Sequence, residues 1–251
     1  MTEPKLNGND LAADIQGLAE RYGLPGDAPD RLTALMVILA KDPFAPTAVR
    51  GGRRAVDDHL ADSLVALELQ QTRLASKLAD LGSGAGFPGL PLAIALPDAA
   101  VTLVESSARK CAFIARATDA CGIENVTVLH ARAESWRQGV GELDLVTARA
   151  LAPLPVVAEY AAPLLQVGGN LLVWRGRRNR DEEAAGARAA LELGLESREP
   201  QRVHPYAGAL HRHLQLMSKI RPTPDRFPRR PGMARKHPLG GSTPVPPQAS
   251  R

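Results

Sequence analysis

Aromatic residues make up only 4% of this 251-residue chain, and cysteine occurs twice. So few rings exclude a base-stacking platform as the main way of holding single-stranded nucleic acid. Cys111 and Cys121 fall on one predicted helix and its end, a separation of about 15 Å that no disulfide spans. No CxxC or Cys/His cluster has metal-ligand spacing, so no metal is expected and both thiols read as packing residues. No apolar run approaches the roughly 18 residues of a membrane span. The polar start MTEPKLNGND has no charged segment leading into an apolar one, so no secretory signal is seen. The expectation is a cytoplasmic protein with no membrane partner.

What is present is ordinary for a globular chain: 44% apolar and 23% charged residues. The net charge of +4 is unevenly spread. From Arg221 onward seven Arg and Lys face one acid, Asp225, while the rest of the chain is slightly acidic. A basic end of this kind points to a polyanionic partner. The same stretch holds eight of the 21 prolines, which excludes a long helix. Arg221–Leu239 reads as a strap that orders on RNA or against the domain, and the residues beyond Gly240 as a disordered end.

Periodicity predicts helices around Leu11–Ala19 and Leu32–Leu39, a connector over Asp42–Gly52, and a further helix over Val56–Leu69. On that helix His59, Asp62 and Ser63 share a face, either solvated or at the rim of a pocket. Strands then alternate with helices. The strands fall at Leu78–Gly82, Val101–Glu105, Val126–His130, Asp144–Ala148, Leu171–Trp174, Arg198–Val203 and His213–Ile220. The helices fall at Leu90–Leu96, Ala108–Cys121, Pro155–Leu165 and Asp181–Leu193. The fold class is therefore α/β, a mainly parallel seven-stranded sheet with helices on both faces and an N-terminal helical extension. We divide the chain into 1–76 (extension), 77–220 (main domain) and 221–251 (basic tail).

The organising stretch is KLADLGSGAGFPGLP, Lys77–Pro91. An apolar run carrying Asp80 passes through Gly82, Gly84, Gly86 and Gly89 into a helix. Gly84–Gly89 fits the dinucleotide pattern G-x-G-x-x-G. However, Asp80 would repel a pyrophosphate and suit a cation, and Pro88 removes an N–H that a pyrophosphate would use. Glu105 ends the next strand, twenty-one positions after Gly84, where an acid accepts ribose hydroxyls. Capping of the following helix is the alternative. A cationic nucleoside such as S-adenosylmethionine fits these features better than a dinucleotide.

The chain resembles the RsmG (GidB) family through HLADSL (His59–Leu64), DLGSGAGFPGLPLAI (Asp80–Ile94) and VTLVESSARKCAFI (Val101–Ile114). The resemblance continues in HARAES (His130–Ser135), LVTARALAPL (Leu145–Leu154), RHLQLMSKI (Arg212–Ile220) and FPRRPGMARKHPL (Phe227–Leu239). It implies a Rossmann-like class I methyltransferase that uses S-adenosylmethionine to modify guanine N7 in the 530 loop of bacterial 16S rRNA. The expected partner is 16S rRNA or the small subunit, and the expected state a monomer.

By the same resemblance Gly82 and Phe87 contact the cofactor and Glu105 its ribose; the charge and glycine pattern of the turn add Asp80 and Gly84 as cofactor-binding candidates. Ala133 and Glu134 line the adenine, and Arg149 faces both cofactor and substrate. Arg149 and Arg175 are the catalytic candidates, and Arg212, Arg229, Arg230, Arg235 and Lys236 the RNA-binding ones. A salt bridge to Glu134 or Asp144 is the alternative for Arg149. The family usually has Lys-Gly where this chain has Arg175-Gly176, and Asn-Leu-Thr where it has Ala45-Pro46-Thr47. Three rivals remain open on the sequence: a hydride-transfer enzyme using Gly84–Gly89, a methyltransferase for a small molecule or protein, and a non-enzymatic rRNA-binding factor.

Overall fold

A computed structural model of the chain describes residues 8–241. The end expected to be disordered lies, past Gly241, outside them. The strands are β1 (Lys77–Leu81), β2 (Ala100–Glu105), β3 (Val126–His130), β4 (Leu143–Arg149), β5 (Leu165–Arg175), β6 (Leu195–Ser197), β7 (Gln201–Arg202) and β8 (His213–Lys219). They form one sheet in the order β3-β2-β1-β4-β5-β8-β6, with β7 also on β8. Neighbours from β3 to β5 are parallel, and β8 is antiparallel to β5, β6 and β7. Chain order reverses between β1 and β4, and a ligand crevice opens at such a switch point beyond the carboxyl ends of the strands.

The sheet has eight strands where seven were expected. Arg198–Val203 does not form one strand; β6 ends at Ser197 and β7 starts at Gln201, on either side of Pro200, which has no N–H for the ladder. The helix expected over Pro155–Leu165 ends at Ala161; Ala162 keeps helical backbone, but Pro163 has no N–H to continue the ladder. Leu165 is thereby released to begin β5.

Alternate residues of the central strands feed two apolar layers. Leu78, Val101, Leu103 and Leu145 belong to one, and Ala79, Leu81, Val104 and Val146 to the other. The first layer is covered by helices Gly89–Ala95 and Ala108–Ala120 and by the N-terminal helices Gly8–Tyr22 and Ala28–Lys41, with Ile15, Leu32, Leu35 and Leu39 fully buried. The second is covered by Leu154–Ala161 and Arg180–Leu193. The strap from Arg221 packs on the same side, burying Phe227 and Ala234.

The helix expected over Val56–Leu69 is wound in pieces. A π turn over Val56–Ala61 is followed by α and 3-10 turns to Glu68. A π turn widens the helix and re-aims side chains, a device common at functional sites. Here it directs His59 and Asp62 inward, and both are buried.

The N-terminal helices contribute directly to the core. Leu35→Ala is expected to lower the unfolding free energy by about 2–5 kcal/mol in one cooperative transition. Urea unfolding followed by circular dichroism and by Trp174 fluorescence checks this. A separate early transition that leaves the tryptophan signal unchanged would show that the helices fold apart from the sheet.

Candidate active site

The glycine turn is held from below. Asp80 is only 1% exposed; its Oδ1 accepts from Thr147 Oγ1 at 3.0 Å and its Oδ2 from the Gly89 N–H at 3.2 Å. The Asp80 carboxylate, expected against a cationic ligand, is turned in this structure towards the protein, where it ties β4 and the helix after the turn to β1. A Cβ on Gly89 would strike Leu103 Cδ2 and press on Asp80, so the close approach requires glycine. Gly82 has φ +70°, and its missing Cβ leaves room for Leu151 Cδ1. Burial pushes the Asp80 pKa up to about 6.

Above the turn lies a pocket of about 360 Å³ at the carboxyl ends of β1 to β3. Gly82, Ala133 and Glu134 line it together, with Leu151 and Tyr160 from the far side. Glu105 stands at its edge: Oε2 accepts from the Gly84 N–H at 3.1 Å and Oε1 from the Ser107 N–H at 2.9 Å. The carboxylate thus holds the turn and also tethers the residue that caps helix Ala108–Ala120. Glu134 is 8% exposed and accepts from the Gly232 N–H at 3.2 Å. Among the described residues no cluster of His, Cys, Asp and Glu could hold a metal, and both cysteines are free and buried.

A second cluster sits against the turn. Arg149, at the end of β4, donates from Nη1 to Asp62 Oδ2 at 2.8 Å and to the Asp58 carbonyl at 2.9 Å. Arg212 donates from Nε to Asp62 Oδ1 at 3.1 Å, and its Nη2 reaches Tyr206 Oη at 3.0 Å and Asp58 Oδ1 at 3.4 Å. Trp174 Nε1 donates to the Asp62 carbonyl at 2.5 Å. The ion-pair partner of Arg149 is therefore Asp62, neither Glu134 nor Asp144. Asp144 instead accepts from the N–H groups of Ser76 and Lys77.

Phe87 is sandwiched beside this cluster. The His59 ring stacks on it at 4.6 Å between centroids and 16° between planes, and the Arg149 guanidinium carbon lies 5.9 Å from its centroid. His59 Nε2 bonds the Val49 carbonyl at 2.8 Å, and burial holds its pKa below the usual value, so the ring is neutral. Ala150, immediately after Arg149, has φ +53°, a strained left-handed conformation that turns the chain sharply at the site.

Three of the expected arginines are held in ion pairs. Arg175 is 16% exposed at its side chain and makes a two-pronged pair with Glu182, both contacts at 2.7 Å. Glu182 also accepts from the Leu154 N–H at 2.9 Å, so Arg175 braces two helix starts. This guanidinium is committed to a structural pair. Arg229, expected on RNA, pairs through two nitrogens with Glu159, which is 1% exposed. Arg212 is tied to Asp58 and Asp62. Arg230, Arg235 and Lys236 are exposed on the strap, and Arg235 lines the pocket. Tyr160, Leu151 and the partnership of Asp62 were missed, since each reaches the site from a distant segment.

The strand order, the glycine turn and the carboxylate ending β2 define a Rossmann-like methyltransferase. Two solved structures share this fold. A methyltransferase dependent on S-adenosylmethionine from Aquifex aeolicus is 16% identical, with TM-score 0.51 over 66% of this chain and 93% of that one. Fibrillarin from Aeropyrum pernix, solved with natively bound S-adenosyl-L-methionine, is 18% identical, with TM-score 0.50 over 62% and 72%. The family model "GidB: rRNA small subunit methyltransferase G" matches residues 36–214. The protein of that name from Chloroflexus aggregans is 43% identical over 206 residues, 81% of this chain and 86% of its own. The chain belongs to the rRNA small subunit methyltransferase G family.

The buried Asp80 makes stability depend on pH. Between its ordinary value of 3.8 and about 6 the folded state keeps a proton that the unfolded chain releases, so stability falls as pH rises through this window. Asp80→Asn keeps an acceptor for Gly89, and Thr147 can turn its hydroxyl to the Ala79 carbonyl at 3.4 Å. Relative to this variant, wild type should lose up to about 3 kcal/mol between pH 4 and pH 7. Urea midpoints across pH measure it; a difference that stays constant sinks the account.

Proposed function

We propose that the chain transfers the methyl group of S-adenosylmethionine to N7 of a guanine in the 530 loop of 16S rRNA, presented by the small subunit or its rRNA. Family membership supports the reaction class. The observation that carries the reading is the Arg149–Asp62–Arg212 ion-pair cluster lying against Phe87 of the glycine turn.

The pocket suits the cofactor. Its size falls within the roughly 300–1,000 Å³ of small-molecule sites, and its floor is lined by Gly82 with Leu151 packed against it. Glu105 would take the ribose hydroxyls, exchanging a bond it now accepts from the Gly84 N–H, and Ala133 and Glu134 would flank the base. Bound there, the cofactor supplies a methyl group on positively charged sulfur.

Guanine N7 has an in-plane lone pair and no proton, so no general base is needed. The neutral, hydrogen-bonded His59 fits a structural role. What the chain must provide is alignment of N7 with the methyl, and fixed geometry of this kind lowers the barrier by limiting wasted orientations. Arg149 is held on three sides, by Asp62, by the Asp58 carbonyl and by the Phe87 ring. It can reach the guanine O6 edge, which arginine reads well. The methylated base is cationic, and two bare guanidiniums would oppose it. Asp62 and Asp58, the latter shared with Arg54, offset much of that charge, so the cluster can grip an O6 edge or phosphate at reduced cost to the product.

A monomer is part of this reading. No described helix is long and apolar enough to cross a membrane, and we place the reaction in the cytoplasm. The decisive experiment is transfer of labelled methyl from S-adenosylmethionine to small subunits, and to naked 16S rRNA, from a strain lacking this gene. We expect label at one guanine N7 in the 530 loop; label on neither substrate sinks the reading. Arg149→Ala should retain the fold, since Asp62 keeps Arg212, and lose at least about 100-fold in turnover. Near-normal turnover in that variant would remove the role given to Arg149.

A further inference from the structure

The strap after β8 builds part of the pocket. Gly232 and Arg235 line it alongside Gly82 and Glu134. Two bonds clasp the strap to opposite sides, Gly232 N–H to Glu134 Oε1 at 3.2 Å and Arg235 Nη2 to the Leu151 carbonyl at 3.1 Å. Behind them Phe227 and Ala234 are buried, Arg229 is paired to the buried Glu159, and Arg188 Nε donates to the Gly240 carbonyl at 2.8 Å. The wall is anchored along its length, not laid loosely over the opening.

We propose that Arg235 is a cofactor-binding residue whose guanidinium takes the carboxylate of the cofactor's amino-acid end. This rests on the cofactor reading above. The acids at the pocket, Glu134 and Glu105, suit hydroxyl and amino donors and repel a carboxylate. Two guanidiniums line it, Arg132 and Arg235. Arg132 follows β3 next to Ala133, at the end assigned to the base. Arg235 is tethered to Leu151, whose side chain packs over Gly82 at the end of β1. With base and ribose at Glu134 and Glu105, the amino-acid end extends towards Gly82 and meets Arg235. A guanidinium has five N–H donors; Arg235 uses one on the Leu151 carbonyl and also meets the Tyr160 hydroxyl, and its remaining donors can take a carboxylate. The strap therefore completes the cofactor site, a role distinct from contact with RNA.

Calorimetric titration with S-adenosylmethionine and with its decarboxylated analogue separates this contact from general binding. Wild type should prefer the carboxylated compound, and Arg235→Ala should weaken it by about 10- to 100-fold while leaving the analogue nearly unchanged. Arg235→Lys should recover part of the loss. Equal weakening of both compounds, no weakening, or loss of the preference on Arg132→Ala instead overturns the assignment. Failure of the wild-type chain to bind S-adenosylmethionine overturns both this assignment and the cofactor reading beneath it.

Discussion

The Asp62 carboxylate is the contact on which the site depends. It is buried, and it receives Arg149 from β4 and Arg212 from the start of β8, while its own carbonyl receives Trp174 from β5. Four segments distant in sequence meet at one residue. A lone carboxylate so deeply placed would be costly, and so would either guanidinium without it. Each charge is tolerable because a partner is in position, and the two guanidiniums share one carboxylate. The π turn that aims Asp62 inward, and the break in regular helix it brings, follow from that demand.

The glycine turn solves a different problem. β1 must end, reverse and start a helix within a few residues, with Gly82 lining the floor of the pocket. Asp80 is turned towards the protein and ties the turn to Thr147 and Gly89 from behind. The raised Asp80 pKa follows from this placement: a group buried for geometry carries a charge that burial disfavours. The floor of the pocket is thereby rigid before anything binds.

Much of this was legible in the residues because it is local. The order of strands and helices followed from periodicity, and the turn from glycines with an acid twenty-one positions later. Pairings across long separations were not legible. Arg149 and Asp62 lie 87 residues apart, and nothing along the chain distinguishes Asp62 from Glu134 or Asp144 as the partner. Arg175 and Arg229 looked like free cations for the same reason; Glu182 and Glu159 became their partners only when helices packed. Pro163 and Pro200 did carry signals for the element ends that were misplaced, and the apolar periodicity around them was given too much weight.

The clasp between Gly232 and Glu134 has a consequence for the making of the protein. Chains emerge from the ribosome N-terminus first, and every other wall of the pocket precedes the strap. A nascent chain can fold its sheet and set its glycine turn while the pocket still stands open on one side. The last wall of the pocket is thus made at the end of translation, and a product truncated before the strap would lack that wall and leave the buried Glu159 without Arg229.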